Sequence, residues 1–317
     1  MPRTEPWSLA APGDLAPAFA ADAERWRRDL RWDTRDLWDA VERARTSGRL
    51  DGLVHRDDTG RVDGWTYFVA RGGDVHCGAL ESTSPDATEA LVDALLTTPA
   101  GAAAERVLLF VYSSAPALEA ALRRHAFDVV PYDYRVRALG ERTRGAAPGR
   151  AWDLRDLDTT AAVLQAAYAR TDPRRPFAPH GTTAEWRQYA SDLVMGQGCG
   201  RFRPSLSLAV PAERGGLDGV ALVTDLGEGT AHLAQIAVRP SGRGGGLGAA
   251  MLEAVSRQAV AAGFQRLSLL VARDNARATA MYARAGLAVQ ASFLCAVRPG
   301  RRLDGWNHPT AAATASR

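Results

Sequence analysis

The apolar positions along this chain change period repeatedly, and the changes mark out its elements. From about Leu15 to Arg45 they recur three and four apart, with Trp26, Leu30, Leu37 and Val41 near one face, which predicts one or two helices carrying aromatic core positions. Leu50 to His55, Trp65 to Ala70 and Asp74 to Leu80 read as strands, the first two joined by the turn Asp57-Asp58-Thr59-Gly60. A helix from Asp86 to Leu96, a buried strand from Arg106 to Tyr112, a helix from Pro116 to His125 and a strand from Val129 to Arg137 follow. Downstream, Trp152 to Arg155 reads as a strand, and Asp158 to Ala169 and Thr183 to Met195 read as helices. Thr182 and Glu185 have the spacing of a capping box before the second of these. Strands at Leu206 to Val210, Leu217 to Thr224 and His232 to Val238 lead to a helix after Gly248 and a strand from Arg266 to Val271.

The second half repeats the order of the first. An offset of 160 pairs Arg106 with Arg266, Val111 with Val271, Arg124 with Arg284 and Val129 with Val289. An offset of 156 pairs His76 with His232, in Gly-x-x-His runs that begin at Gly73 and Gly229. The four-residue difference falls between the third strand and its helix. The chain therefore reads as an internal duplication: a domain over 1–139, a polar, glycine-rich join over 140–150, a second domain over 151–300, and a tail over 301–317 that lacks periodicity and is expected to fray.

The extra residues of the second half lie in Arg239-Pro240-Ser241-Gly242-Arg243-Gly244-Gly245-Gly246-Leu247-Gly248, between a strand and an Ala-rich helix. Backbone without side chains lets several N–H groups converge, and a helix start adds orphan donors and a positive dipole end, so this arrangement suits a phosphate. A flexible linker is the plain alternative, but linkers are rarely bounded so tightly. A P-loop needs a lysine after its last glycine, and this chain has no lysine. Gly244, Gly246 and Ala249 fit the loose dinucleotide pattern G-x-G-x-x-A, with Asp274 ending the next strand, yet too little chain remains for a doubly wound sheet.

What remains is R-x-x-G-x-G, held by Arg243, Gly246 and Gly248 after a strand ending Val238-Arg239-Pro240. Downstream, Asn275, Ala278, Tyr282 and Gly286-Leu287 complete N-x-x-A-x-x-x-Y-x-x-x-G-[FL]. With these two motifs the stretch from about Trp152 to Arg298 resembles the Gcn5-related N-acetyltransferases. The resemblance implies an α/β fold of two tandem acetyltransferase-like domains, each a mixed, largely antiparallel sheet flanked by helices. The first is degenerate: Ser82 to Asp86 lack glycine and arginine, and Ala115 and Leu122 stand where Asn275 and Tyr282 are.

By the same resemblance the chain moves an acetyl group from acetyl-CoA to a primary amine of a small molecule by direct attack, with no metal. Cofactor contacts are implied for Ile236, Ala237 and Val238, where the strand leaves its neighbour, for Arg243, Gly244, Gly245, Gly246, Leu247 and Gly248, and for Asn275 and Tyr282. Tyr282 is the implied acid toward the departing thiolate. His232 is the expected base, since alternation puts it on the face of Ile236 and Val238, with Asp225 and Glu228 as alternatives. Thr171 to His180 falls where the family builds its acceptor side. A non-catalytic acyl-CoA sensor or scaffold, or an enzyme acting on proteins or peptides, are the alternatives.

Composition adds exclusions. The 317 residues, 46% apolar and 24% charged, suit two ordinary soluble domains, and a net charge of +3 gives no reason to expect nucleic acid. Cys77, Cys199 and Cys295 are odd in number and lack C-x-x-C spacing, which points away from disulfides and zinc and toward a reducing cytoplasm. A nucleophilic Cys199 is the weaker reading of a loop cysteine. No leader-like or membrane-spanning run is present, and no H-E-x-x-H, G-x-S-x-G or calcium-loop spacing occurs. Arginine in place of every lysine, with abundant alanine, suggests a high-GC bacterial genome.

Overall fold

The computed structural model describes residues 1–140, 146–168, 177–196 and 199–300. The expected tail, residues 141–145 of the join and the Thr171 to Pro176 part of the expected acceptor region lie outside the described residues. The first half runs β1 (Arg3–Pro6), α1 (Ala16–Leu30), α2 (Arg35–Thr46), β2 (Asp51–Arg56), β3 (Val62–Arg71), β4 (Asp74–Ser82), α3 (Pro85–Thr97), α4 (Pro99–Ala103), β5 (Arg106–Tyr112), α5 (Leu118–Arg124) and β6 (Asp128–Ala138). The second runs β7 (Arg150–Ala151), α6 (Leu157–Ala167), α7 (Thr183–Val194), β8 (Arg201–Phe202), β9 (Leu208–Pro211), β10 (Leu217–Asp225), β11 (Thr230–Val238), α8 (Leu247–Ala261), β12 (Arg266–Ala272), α9 (Ala276–Arg284) and β13 (Ala288–Pro299).

Two local expectations change. The strand expected at Trp152 to Arg155 is instead a single 3-10 turn over Leu154–Asp156, because Asp153 accepts from the Arg155 N–H and Asp156 accepts from the Asp153 N–H, a capping box that outcompetes extended pairing. The long N-terminal helical stretch breaks at Arg31, whose φ is 54°, and the new phase leaves Leu37 exposed while Trp38 and Val41 turn inward onto Phe19 and Trp65. The capping box of α7 forms as read, the Thr182 hydroxyl accepting from the Glu185 N–H at 3.2 Å.

The strands form one sheet in the order β1-β2-β3-β4-β5-β13-β6-β12-β11-β10-β9-β7, with β8 beside β10. Only β4–β5 and β11–β12 pair in parallel among the described strands, so the arrangement is not doubly wound. The duplication is visible in the registers. Asp74 faces Arg106 and His76 faces Leu108 in the first half; Thr230 faces Arg266 and His232 faces Ser268 in the second, at the same two offsets read from the sequence. Both halves also carry a β-bulge at the same place, β4 skipping Gly78 opposite Tyr67 and Phe68, β11 skipping Ala234 opposite Leu222 and Val223.

Instead of two separate sheets, the halves exchange their last strands. β13 inserts between β5 and β6, while β6 pairs with β12, so the strand order reads equivalently from either end. Buried arginines on β6 then serve the second half. Arg137 donates to the Ala285 carbonyl at 2.5 Å, to Glu253 at 3.2 Å and to Ser256, and Arg135 donates to the Leu287 carbonyl. The apolar face of α8, with Met251, Leu252, Val255 and Ala259 at most 1% exposed, packs on the sheet from the side that carries α9. Burying Met251, Leu252 and Val255 stabilises the fold by about 1.5–3 kcal/mol each, and Ala259 by less, which holds α8 behind the loop it follows.

Candidate active site

A cleft of about 480 Å³ lies where β11, the glycine loop, α8 and α9 meet. It is lined by the expected Ile236, Ala237, Val238, Arg243, Gly244, Gly246, Leu247, Gly248, Asn275 and Tyr282. Gly245 is not among the lining residues, and neither is Arg239, whose guanidinium turns to the Leu217 carbonyl at 2.7 Å. Tyr168, Arg277, Met281 and Arg284 line it as well and were missed in the sequence. A usable signal existed for the arginines: positions 277 and 284 are seven apart on a helix, hence on one face.

The loop is shaped by backbone that only glycine adopts readily. Gly244 and Gly246 have φ of 96° and 79°, and a Cβ at 244, 245 or 246 would meet nothing within 4 Å, so the N–H groups before α8 border open space. Gly246 is the N-cap of α8 and has no side chain to satisfy the helix's first donors. Arg243 donates to the carbonyls of Val238 at 3.2 Å and Ala167 at 2.7 Å. Ala167 ends α6, so this guanidinium both caps that helix's negative end and places positive charge at the cleft.

β11 and β12 are paired only from Thr230 to Leu233 and from Arg266 to Leu269, although β11 continues to Val238 and β12 to Ala272. The strands therefore part, and the edge of β11 from Ala234 onward opens on the cleft side. The Ile236 N–H is accepted by the side chain of Gln235 at 3.1 Å, and the same oxygen receives the Tyr168 hydroxyl at 2.8 Å. Gln235, which nothing in the sequence singled out, thereby occupies the amide of Ile236 and fixes Tyr168 at the cleft wall.

Asn275 caps α9 by accepting from the Ala278 N–H at 3.2 Å. Tyr282 is 6% exposed, and its hydroxyl has no hydrogen-bond partner among the described residues. Burial, and then the neighbouring Tyr168, raises its phenol above the usual value.

His232 does not join this group. It is 2% exposed, stacks on Tyr134, lies beside Trp32 and shares a hydrogen bond with Ser268 at 2.9 Å. The bulge at Ala234 is the reason: one extra residue shifts the alternation, so Ala231 and Leu233 share the face of Ile236 and Val238, and His232 points to the other. Burial lowers its pKa to about 4, so it is neutral. The alternatives are also elsewhere: Asp225 pairs with Arg203 at 3.3 Å, and neither Asp225 nor Glu228 lines the cleft.

In the first half the matching place is filled. Thr88 of α3 donates to the Pro116 carbonyl at 2.8 Å and shares a hydrogen bond with Ser82 at 2.5 Å, while Leu91, Leu118 and Leu122 are buried together. Its strand opening is occupied by Glu81, held by Arg25 at 3.0 Å and Ser114 at 2.6 Å. Among the described residues no group of His, Cys, Asp and Glu is arranged to hold a metal, and no helix is long and apolar enough to cross a membrane.

Residues 164–287 match the model of the acetyltransferase (GNAT) family. Among solved structures, a GCN5-related N-acetyltransferase from Sphaerobacter thermophilus is similar at a TM-score of 0.54 with 18% identity, over 80% of this chain and 82% of that one. An acetyltransferase of the family from Colwellia psychrerythraea gives 0.54 and 14% over 93% and 99%. A glucosamine N-acetyltransferase region in a fungal multi-domain β-N-acetylglucosaminidase gives 0.59 and 14% over 94% of this chain and 38% of that one. At these identities the structural likeness concerns the fold.

Proposed function

We propose that this chain, whose residues 164–287 belong to the acetyltransferase (GNAT) family, moves an acyl group, most simply acetyl, from acyl-CoA to a primary amine of a small molecule, at one site in its second half. The observation that carries the reading is the convergence, in one cleft, of the glycine loop, the parted end of β11 and a Tyr282 hydroxyl that bonds to no described residue. The loop's N–H groups and Arg243 suit a pyrophosphate, and the Ile236 amide, released from Gln235, suits a thioester oxygen on which negative charge develops.

In this reading the amine nitrogen bonds to the acyl carbon, the carbon–sulfur bond breaks, and Tyr282 donates to the sulfur as it takes up charge. A neutral tyrosine suits that task. Attack requires the neutral amine, and the proton it sheds afterwards passes to solvent; no residue of the described lining is assigned as base. His232 is not assigned a role in proton transfer. Free thiols at Cys77, Cys199 and Cys295 agree with a reducing, cytoplasmic setting.

The test is turnover of acetyl-CoA with a panel of small amines, read as free thiol released. Amine-dependent release supports an enzyme; tight CoA binding without release by any amine, acidic peptides included, supports a sensor and overturns the catalytic reading.

A further inference from the structure

The cleft carries more positive charge than a pyrophosphate loop requires. Arg277 and Arg284 line it together with Arg243, and among the described residues no Asp or Glu does. Neither Arg277 nor Arg284 has an ion pair or side-chain hydrogen bond among the described residues. Their neighbour Arg273, which does not line the cleft, is held by Asp133 at 3.0 Å and by Ser292. On α9 the two free arginines are two turns apart on one face, separated by about 10 Å along the axis, so their long side chains can close on one group between them. Like charges held together without a counter-ion repel, and a planar guanidinium binds phosphate through paired N–H donors.

The glycine loop and Arg243 lie at the α8 end of the cleft and account for two linked phosphates. The arginines of α9 are left for a third. Resting on the acyl-CoA reading above, we propose that Arg277 and Arg284 bind the 3′-phosphate of the CoA ribose, so that this protein selects CoA over its 3′-dephospho form. Such a contact uses charge-assisted hydrogen bonds on an exposed helix face, which weaken as salt rises.

The test is calorimetric binding of CoA and 3′-dephospho-CoA to the full chain and to the R277Q, R284Q and R277Q/R284Q variants, at low and high salt. Both side chains are exposed, so the variants are expected to fold, and thermal melts check this. The wild type should prefer CoA by about tenfold or more, and the double variant should bind both ligands with the wild type's affinity for the dephospho form. The preference should shrink at high salt. Tight CoA binding with no preference in the wild type, or an undiminished preference in the double variant, overturns this inference and leaves the acyl-CoA reading standing. No CoA binding at all overturns that reading, and this one with it.

Discussion

Replacing Tyr282 with Phe removes one oxygen from the cleft and almost nothing else. The ring is buried among the apolar residues that seat α9, and its hydroxyl bonds to no described residue, so the variant keeps its packing and leaves no partner unpaired. Folding stability should change by no more than about 0.5 kcal/mol. The catalytic effect has two bounds. A full general acid contributes about 10² to 10⁴ in rate, whereas a hydrogen bond to a charged group is worth about 1.5–3 kcal/mol, or roughly 10- to 150-fold at about 1.36 kcal/mol per decade. Burial makes this phenol a weaker acid than a free one, which favours hydrogen bonding to the thiolate over complete transfer. The expectation is therefore a loss of about 10² in kcat with the Kd for CoA unchanged. Its raised pKa also keeps the group protonated through the alkaline range, so wild-type kcat should show no Tyr282 limb below about pH 10. Single-turnover thiol release at saturating amine isolates the chemical step. A Phe variant that matches wild type in that measurement refutes the donor role.

Gly246→Val forces a β-branched residue to φ of 79°, at a cost of about 1–2 kcal/mol, and projects methyls over the loop's donors; CoA affinity should fall at least about tenfold, whereas Gly248→Ala, whose Cβ lies 3.4 Å from the Met281 sulfur in ordinary contact, should be tolerated, both by calorimetry. Because His232 is depressed to about 4 in the fold against 6.5 unfolded, the unfolded chain takes up a proton first as pH falls; stability should be full above about pH 6.5 and decline toward pH 4, by at most about 3 kcal/mol. Denaturant melts at several pH values test this, and a His232→Phe variant with the same decline would assign it elsewhere. The same burial predicts that His232→Phe leaves the acidic limb of the rate profile in place. Calorimetry should find one CoA per chain, and a polypeptide beginning at residue 146 should aggregate or remain unfolded, since it lacks β6 and exposes the full edge of β12; a soluble, CoA-binding fragment would contradict the strand exchange.

Most of the longer strands and helices, the capping box at Thr182, the glycine loop and the duplication were legible in the sequence, because periodicity, capping and φ-permissive residues act over a few positions and leave local marks; the short β1, β7, β8 and α4 and the 3-10 turn at Leu154–Asp156 were not, having too few residues to show a period. Even the parallel registers follow the two offsets, since each half folds its own strand, loop, helix and strand in the same way. What the tertiary structure alone decided are choices between locally equivalent partners. β6 and β13 are similar strands, and nothing near them in the chain says whether each completes its own half or crosses to the other; long-range packing, with Arg137 reaching Ser256 and the Ala285 carbonyl, selects the exchange. The bulge at Ala234 is equally silent, because a small apolar residue fits an ordinary strand as well as a bulged one, yet that single inserted position turns His232 away from the cleft and leaves Gln235 beside the Ile236 amide. The cleft's charge was hidden for the same reason: Arg277 and Arg284 read as two solvent-facing arginines until the fold set α9 against the loop, with no acid to pair them among the described residues.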